Sequence, residues 1–163
     1  MENNRTTLKW SELYGRDVAI PGEGKTVGKV EDFYVQEGTN AIYALRVRTR
    51  LYGDLSLPVT GIRAIEKDRV TIPNAQMLAK ALPPFLLGKS LLARKLMDGN
   101  DHELGTVKDV IIGIDPPVAM RVSGLEIARR ASERSSRIIT ADGVAGYPEN
   151  IVTVFDHVAK SLR

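Results

Sequence analysis

Gly28-Lys29-Val30-Glu31-Asp32-Phe33-Tyr34-Val35 and Gly105-Thr106-Val107-Lys108-Asp109-Val110-Ile111-Ile112 decide how this chain is read. Each copy opens on a Gly, carries a Val two residues later, then an Asp, then an apolar run. In the first copy Val27, Phe33 and Val35 share one parity, while Val30, Asp32 and Tyr34 share the other. Neighbouring strand residues face opposite sides, so this switch predicts a bulge or bend around Gly28 and Val30. Asp32 and Asp109 hold the same position, which predicts a structural job for both: accepting backbone amides beside that bend.

The echo runs outward in constant order. Leu13-Tyr14-Gly15-Arg16 is answered by Leu86-Leu87-Gly88-Lys89, and Ala44 to Val47 by Gly124 to Ile127. Gly61 to Ile65 is answered by Gly143 to Tyr147, and Val70-Thr71-Ile72 by Val152-Thr153-Val154. A spacing of about 75–80 residues exceeds the roughly 20–50 of a solenoid unit and suits a duplicated small domain. The expected organisation is a first domain over residues 8–73, a linker helix over 74–85, a second domain over 86–156 and a C-terminal tail over 157–163. Each half alone is near the size where a core is only marginally sufficient, so the halves are expected to pack on each other or on a second chain.

The 163 residues carry a formal charge of only +3, too small an excess to announce a nucleic-acid protein without a clustered basic face. The chain has no Cys, which excludes disulfides and thiolate metal sites and fits a reducing, cytoplasmic setting. The polar start from Met1 to Leu13 has no apolar signal, and the most apolar window, Met77 to Leu96, is broken by Lys80, Pro83, Pro84, Lys89 and Arg94. Neither secretion nor a membrane span is expected.

Met1 to Lys9 reads as a frayed tail. Strands are expected at Arg16 to Ile20, Thr26 to Gln36, Ala41 to Arg50, Leu55 to Pro58, Ala64 to Glu66 and Arg69 to Ile72. In the third of these, Tyr43, Leu45 and Val47 fall on one face and Arg46, Arg48 and Arg50 on the other. Asn74 to Leu82 has helical spacing, with Asn74 as N-cap and Pro83-Pro84 as stop. The second half repeats the strands, beginning at Gly88 to Ala93, with a polar loop from Arg129 to Ser136 and a helical turn from Asp156 to Leu162. Short strands with Gly-rich turns predict a small barrel or sandwich.

These pieces together resemble the PRC-barrel family: Leu-x-Gly-[Arg/Lys], then Gly-x-Val-x-Asp and an apolar strand, a hydrophobic strand, and a Val-Thr-Ile ending. The first copy supplies Leu13 to Arg16, Gly28 to Val35, Ala41 to Arg48 and Val70 to Ile72. The second supplies Leu87 to Lys89, Gly105 to Ile112, Val122 to Ile127 and Val152 to Val154. The resemblance implies a mainly β fold of two tandem small, bent, antiparallel β-barrels. It also implies action by binding macromolecules rather than by catalysis, as in the cytoplasmic part of the reaction-centre H subunit and the C-terminal domain of the ribosome maturation factor RimM. Unlike in the H subunit, no N-terminal membrane helix is expected here; unlike in RimM, the first barrel is expected to begin almost at once. The resemblance transfers no catalytic residues.

Gly22-Glu23-Gly24-Lys25-Thr26 ends like a phosphate-binding loop, but the first required Gly is Ala19 and a strand follows where a helix is needed, so it reads as a turn. His102 and His157 lack metal-ligand spacing and read as exposed polar residues; Met77, Met97 and Met120 read as core. Arg46, Arg48, Arg129, Arg130, Arg134 and Arg137 are the candidate anion- or partner-binding residues, because Arg forks suit phosphate and carboxylate. Glu126 and Glu133 lie among them with few aromatics, which also fits a solvated charged face. No cofactor, metal or catalytic residue is expected. The expected function is a non-catalytic adaptor that binds a protein partner or forms a homodimer; the alternative is an RNA- or ribosome-associated factor.

Overall fold

A computed structural model describes residues 5–129 and 134–162. The fold is mainly β. In chain order the strands are β1 (Thr7–Lys9), β2 (Asp17–Ile20), β3 (Lys25–Gln36), β4 (Ala41–Thr49), β5 (Gly53–Pro58), β6 (Ala64–Ile65) and β7 (Arg69–Thr71). The chain continues with β8 (Leu86–Leu87), β9 (Lys95–Met97), β10 (Glu103–Gly113), β11 (Arg121–Ala128), β12 (Arg137–Thr140), β13 (Val144–Gly146) and β14 (Ile151–Val154). Two short helices, α1 (Trp10–Leu13) and α2 (Asp156–Leu162), complete it, with 3-10 turns between strands. The strands join into one curled 14-stranded sheet whose centre is β10-β11-β4-β3.

Bulges shape the long strands. On β3, Val30 pairs with Val47 but Asp32 with Arg46, so Glu31 is the extra residue; on β10, Val107 pairs with Ile127 but Asp109 with Glu126, leaving Lys108 out. The bulge sits one residue beyond Val30, next to where the parity switch puts it. A second bulge, between the Tyr34–Ala44 and Val35–Ile42 pairs, leaves Tyr43 unpaired. It turns Tyr43 outward, 49% exposed, while Ile42, Leu45 and Val47 are buried. Tyr43 therefore does not share the face of Leu45 and Val47, because one extra residue reverses the alternation. The opening Gly of each quoted stretch answers to a close approach: a Cβ on Gly28 would lie 2.5 Å from the Arg48 carbonyl oxygen, and one on Gly105 2.7 Å from that of Ala128.

Four further expectations are corrected. Thr7–Lys9 is no frayed tail: β1 adds to the edge of β10, with Leu8 opposite Ile112 and only 3% exposed. Gly88 to Ala93 is not a strand; only Leu86–Leu87 is extended, pairing with Val35 and Tyr34 of β3, and a 3-10 turn follows over Gly88–Leu91. Leu13-Tyr14-Gly15-Arg16 corresponds in bonding to Leu91-Leu92-Ala93-Arg94, not to Leu86 to Lys89. The Gly15 amide donates to Val30 and the Val30 amide to Arg16, as the Ala93 amide donates to Val107 and the Val107 amide to Arg94. The linker helix over 74–85 is reduced to one 3-10 turn, Ala75–Met77, capped by Asn74 as expected. Leu78 is already extended, and Ser56 and Ala79 exchange both backbone bonds at 2.8 Å. Pairing with β5, ahead of two prolines that disfavour helix, outcompetes the short amphipathic pattern.

The leading strands cross over: β1 of the first half adds to β10 of the second, and β8 of the second adds to β3 of the first. Between them, β4 and β11 meet through Ala41 and Arg121, with the Ile42 amide on the Met120 carbonyl at 3.0 Å and the Val122 amide on Asn40 at 2.8 Å. The buried apolar side chains accordingly form one cluster drawn from both halves, from Leu8 to Ala159. Trp10 packs on Phe33 in its middle, ring centroids 4.9 Å apart.

Candidate functional site

Asp32 and Asp109 do take backbone amides. Asp32 Oδ1 accepts from the Phe33 amide at 2.8 Å and the Lys89 amide at 2.9 Å. Asp109 Oδ1 accepts from Val110 at 2.9 Å and Ser11 at 3.2 Å, and its Oδ2 from the Ser11 hydroxyl at 2.5 Å. Each carboxylate thus anchors the turn that leads the other half. Burial raises the Asp32 pKa, and the Lys89 and Phe33 amides work against that rise.

The six candidate arginines fall into two separate places. Arg46 and Arg48 sit on β4 and are already engaged. Arg46 holds Asp54 at 2.9 Å, while Arg48 reaches Glu31 at 3.1 Å and Asp54 at 3.6 Å. Glu31, the bulge residue, also takes Lys89 at 3.0 Å, and Lys89 lies 4.4 Å above the Tyr14 ring. These charges largely satisfy one another along the β3–β4 face.

Arg129 and Arg137 instead line a cleft of about 270 Å³ with Ser135, Ser136, Leu104 and Leu162. Arg137 donates to the Ser161 carbonyl at 3.0 Å, where it caps the end of α2. Arg134 is exposed nearby. Arg130 and Glu133 lie outside the described residues. Glu126, on the adjoining strand, takes Lys9 at 2.9 Å and the Ser136 hydroxyl at 3.1 Å. The Lys9 hydrogen bond, more than any other influence, holds it below the usual carboxylate range.

A larger groove, about 920 Å³, occupies the corresponding position in the first half. It lies between the start of β3, the β4–β5 turn and the segment after β7. Val27, Leu55 and Leu78 contribute apolar surface, and Leu51 and Tyr52 stand up from the turn, 80% and 71% exposed. The cations Lys25, Lys29, Arg48, Arg50 and Lys80 also line it, and among the described residues no carboxylate or imidazole does. Lys29 is paired with Asp17 at 3.0 Å and Arg48 with Glu31; Lys25, Arg50 and Lys80 make no ion pair or side-chain hydrogen bond with another described residue. Sequence reasoning missed this groove. Its one sequence signal is Leu51-Tyr52, an apolar pair in a turn where polar residues are usual.

Among the described residues no three His, Asp or Glu side chains converge as a metal set would. His102 pairs with Asp98 at 3.0 Å and helps close a turn. Gly22 to Thr26 is a 3-10 turn, Pro21–Glu23, followed by left-handed Gly24 and then strand, so it presents no helix N-terminus to a phosphate. No described helix is long and apolar enough to cross a membrane.

The bent β3–β4 hairpin, with β2 joined in parallel to β7, lies in the segment that a known family also covers. Residues 5–77 match the PRC-barrel domain. No curated protein matches the chain. The groove therefore opens on the PRC-barrel segment, and three of its lining residues, Ala75, Leu78 and Lys80, lie at or just beyond that segment's end.

Proposed function

We propose that the chain is a non-catalytic, cytoplasmic adaptor built from two PRC-barrel units, the second running over residues 86–156, and that it works by binding a protein partner. The second unit is supported by the recurrence of the Val30 bonding pattern around Val107, of the Glu31 bulge at Lys108, and of the β2–β7 parallel pair as β9–β14. The function rests on the first-half groove: an apolar floor beneath three cations that make no ion pair among the described residues, a combination suited to holding an acidic, partly apolar partner. The crossed leading strands already bury each half against the other. A homodimer is therefore not needed to complete the core, and the partner is taken to be a different protein.

Affinity purification of the full chain from its native host, read by mass spectrometry, tests this. A stoichiometric protein partner that survives high salt is expected. Recovery of ribosomal particles alone, lost as salt is raised, would replace the adaptor with the RNA-associated factor.

A further inference from the structure

The open side of the groove is a strand edge. Lys25 and Thr26 of β3 pair with Ile20 and Ala19 of β2, but the β3–β4 ladder begins only at Lys29 opposite Arg48. On the β4 side, Lys25 to Val27 have no strand neighbour among the described residues, because β4 ends at Thr49 and turns into β5. A strand directs alternate amides and carbonyls to either side, so the side of Lys25 to Val27 turned away from β2 is an unpaired edge, which is the requirement for adding a strand from another chain. The second half does not offer as much: the corresponding cleft is about 270 Å³, and α2 closes on it through Leu162 and the Arg137–Ser161 bond.

We propose that this groove takes a short extended segment of a partner protein, with apolar side chains between carboxylates, as an added strand beside Lys25 to Val27. The apolar side chains lie on Val27, Leu55 and Leu78, with Leu51 and Tyr52 as one wall. The carboxylates meet Lys25, Arg50 and Lys80. A lipid surface would satisfy the cations and the exposed Leu51-Tyr52 tip but offers no amides to the open edge, and a bilayer does not enter a concavity. A nucleic acid would meet the cations but finds Tyr52 as the one aromatic ring among the groove-lining side chains. Charge and edge together favour the acidic peptide.

This proposal rests on the adaptor reading for the partner being a protein. The test is an amide-resolved NMR titration of the full chain with an acetylated, amidated Glu-Val-Glu-Leu-Glu-Val-Glu peptide. The Lys-for-Glu version of that peptide and phosphatidylglycerol vesicles serve as comparison probes. Shifts are expected at residues 25–28, 50–55 and 75–80 with the acidic peptide. Binding is expected to be about tenfold or more weaker in the exposed Lys25→Glu/Arg50→Glu variant. Shifts confined to the Arg137 cleft, no shifts at millimolar peptide, or vesicle binding without peptide binding would each overturn it. Running the affinity purification with the same variant separates the two ideas. If wild type and variant retain the same partner equally, the groove assignment falls and the adaptor stands. If wild type retains no partner while the peptide still fills the groove, the adaptor falls and the groove stands.

Discussion

Residues 5–77 and residues 86–162 use one bonding plan with opposite solutions at two places. At the centre, Trp10 and Gly88 occupy equivalent positions at the head of each half, as do Phe33 and Val110 after each buried Asp. The first half puts its bulk in both of its residues and the second puts little in either, so Trp10 and Phe33 stack on each other while Gly88 makes room: a Cβ there would lie 2.0 Å from Phe33 Cζ. At the rim, the segment after the last strand runs along β5 in the first half and folds as α2 in the second, leaving a wide groove in one and a narrow cleft in the other. The core is complete only when the two halves supply unlike pieces. A surface position free of that constraint differs in shape and charge between the two halves.

The comparison breaks most completely if either half is taken alone. A chain ending at residue 82 keeps the segment matched to the PRC-barrel domain but loses Leu86–Leu87 from the edge of β3, the Lys89 amide from Asp32 and Val110 and Leu125 from the shared core. It is expected to show no cooperative thermal transition by circular dichroism, whereas the full chain is expected to show one. Two separate transitions in the full chain would mean that the halves fold independently.

A smaller intervention tests the size exchange. Gly88→Ala puts a methyl into the Phe33 ring and is expected to cost about 1–3 kcal/mol in urea denaturation. Phe33→Val, which installs the residue type found at position 110, costs stability by itself but removes the clash. The double variant is therefore expected to be more stable than the sum of the single effects. Strict additivity would show that Phe33 yields without resistance, and that Gly88 is there for another reason.

The carboxylate anchors come next. Asp32→Ala leaves the Phe33 and Lys89 amides without an acceptor, and Asp109→Ala does the same to Val110 and Ser11. Each is expected to cost about 1–3 kcal/mol by chemical denaturation. Asn keeps an acceptor oxygen at either site. At Asp32 the pKa is raised by burial, so the stability this group contributes is full below the unfolded carboxylate pKa of 3.8 and is lost as pH rises through the folded value. Asp32→Asn should therefore compare better with wild type at pH 7 than at pH 3. A difference that does not change with pH would show that Asp32 titrates no differently in the folded and unfolded chain.

Much of this plan was legible because it is local. The long strands, the bulge beside Val30, the job of Asp32 and Asp109 and the α2 turn follow from parity, turn residues and repetition. What the sequence hides depends on partners far along the chain. Gly88 and Gly15 share a motif in the sequence, yet Gly15 is needed for its φ of 81° and Gly88 for its distance to Phe33. The positive φ in the second half is carried by Ala93, at 68°. Composition could not separate a conformational glycine from a steric one. Nor could it show Thr7–Lys9 finding an edge a hundred residues away. The candidate arginines look like one class in the sequence, yet two of them are bound to Asp54 and Glu31, and the groove cations that have no ion pair among the described residues come from three segments that only the fold assembles.

The smallest effect sharpens the difference between the two leading turns. Glu12, in α1, takes Arg5 at 2.9 Å and the Lys9 amide at 3.0 Å; its counterpart Ser90 has only a hydroxyl, donated to the Leu87 carbonyl. The Arg5 hydrogen bond, then the Lys9 amide, lower the Glu12 pKa from 4.5 to about 2. A depressed carboxylate contributes stability above its unfolded pKa and loses it as pH falls through the folded one, so the window is pH 4.5 down to about 2. Both side chains are more than a third exposed, so solvent screening keeps the effect small. Glu12→Gln should therefore lower Tm slightly at pH 6, and the gap should close as the pH approaches 2.5. High salt should remove the Arg5 share of that gap and spare the Lys9 amide share. A gap of constant size down to pH 2.5 would mean that the charge of Glu12 does nothing for this turn, and the two leading turns would then differ in shape alone.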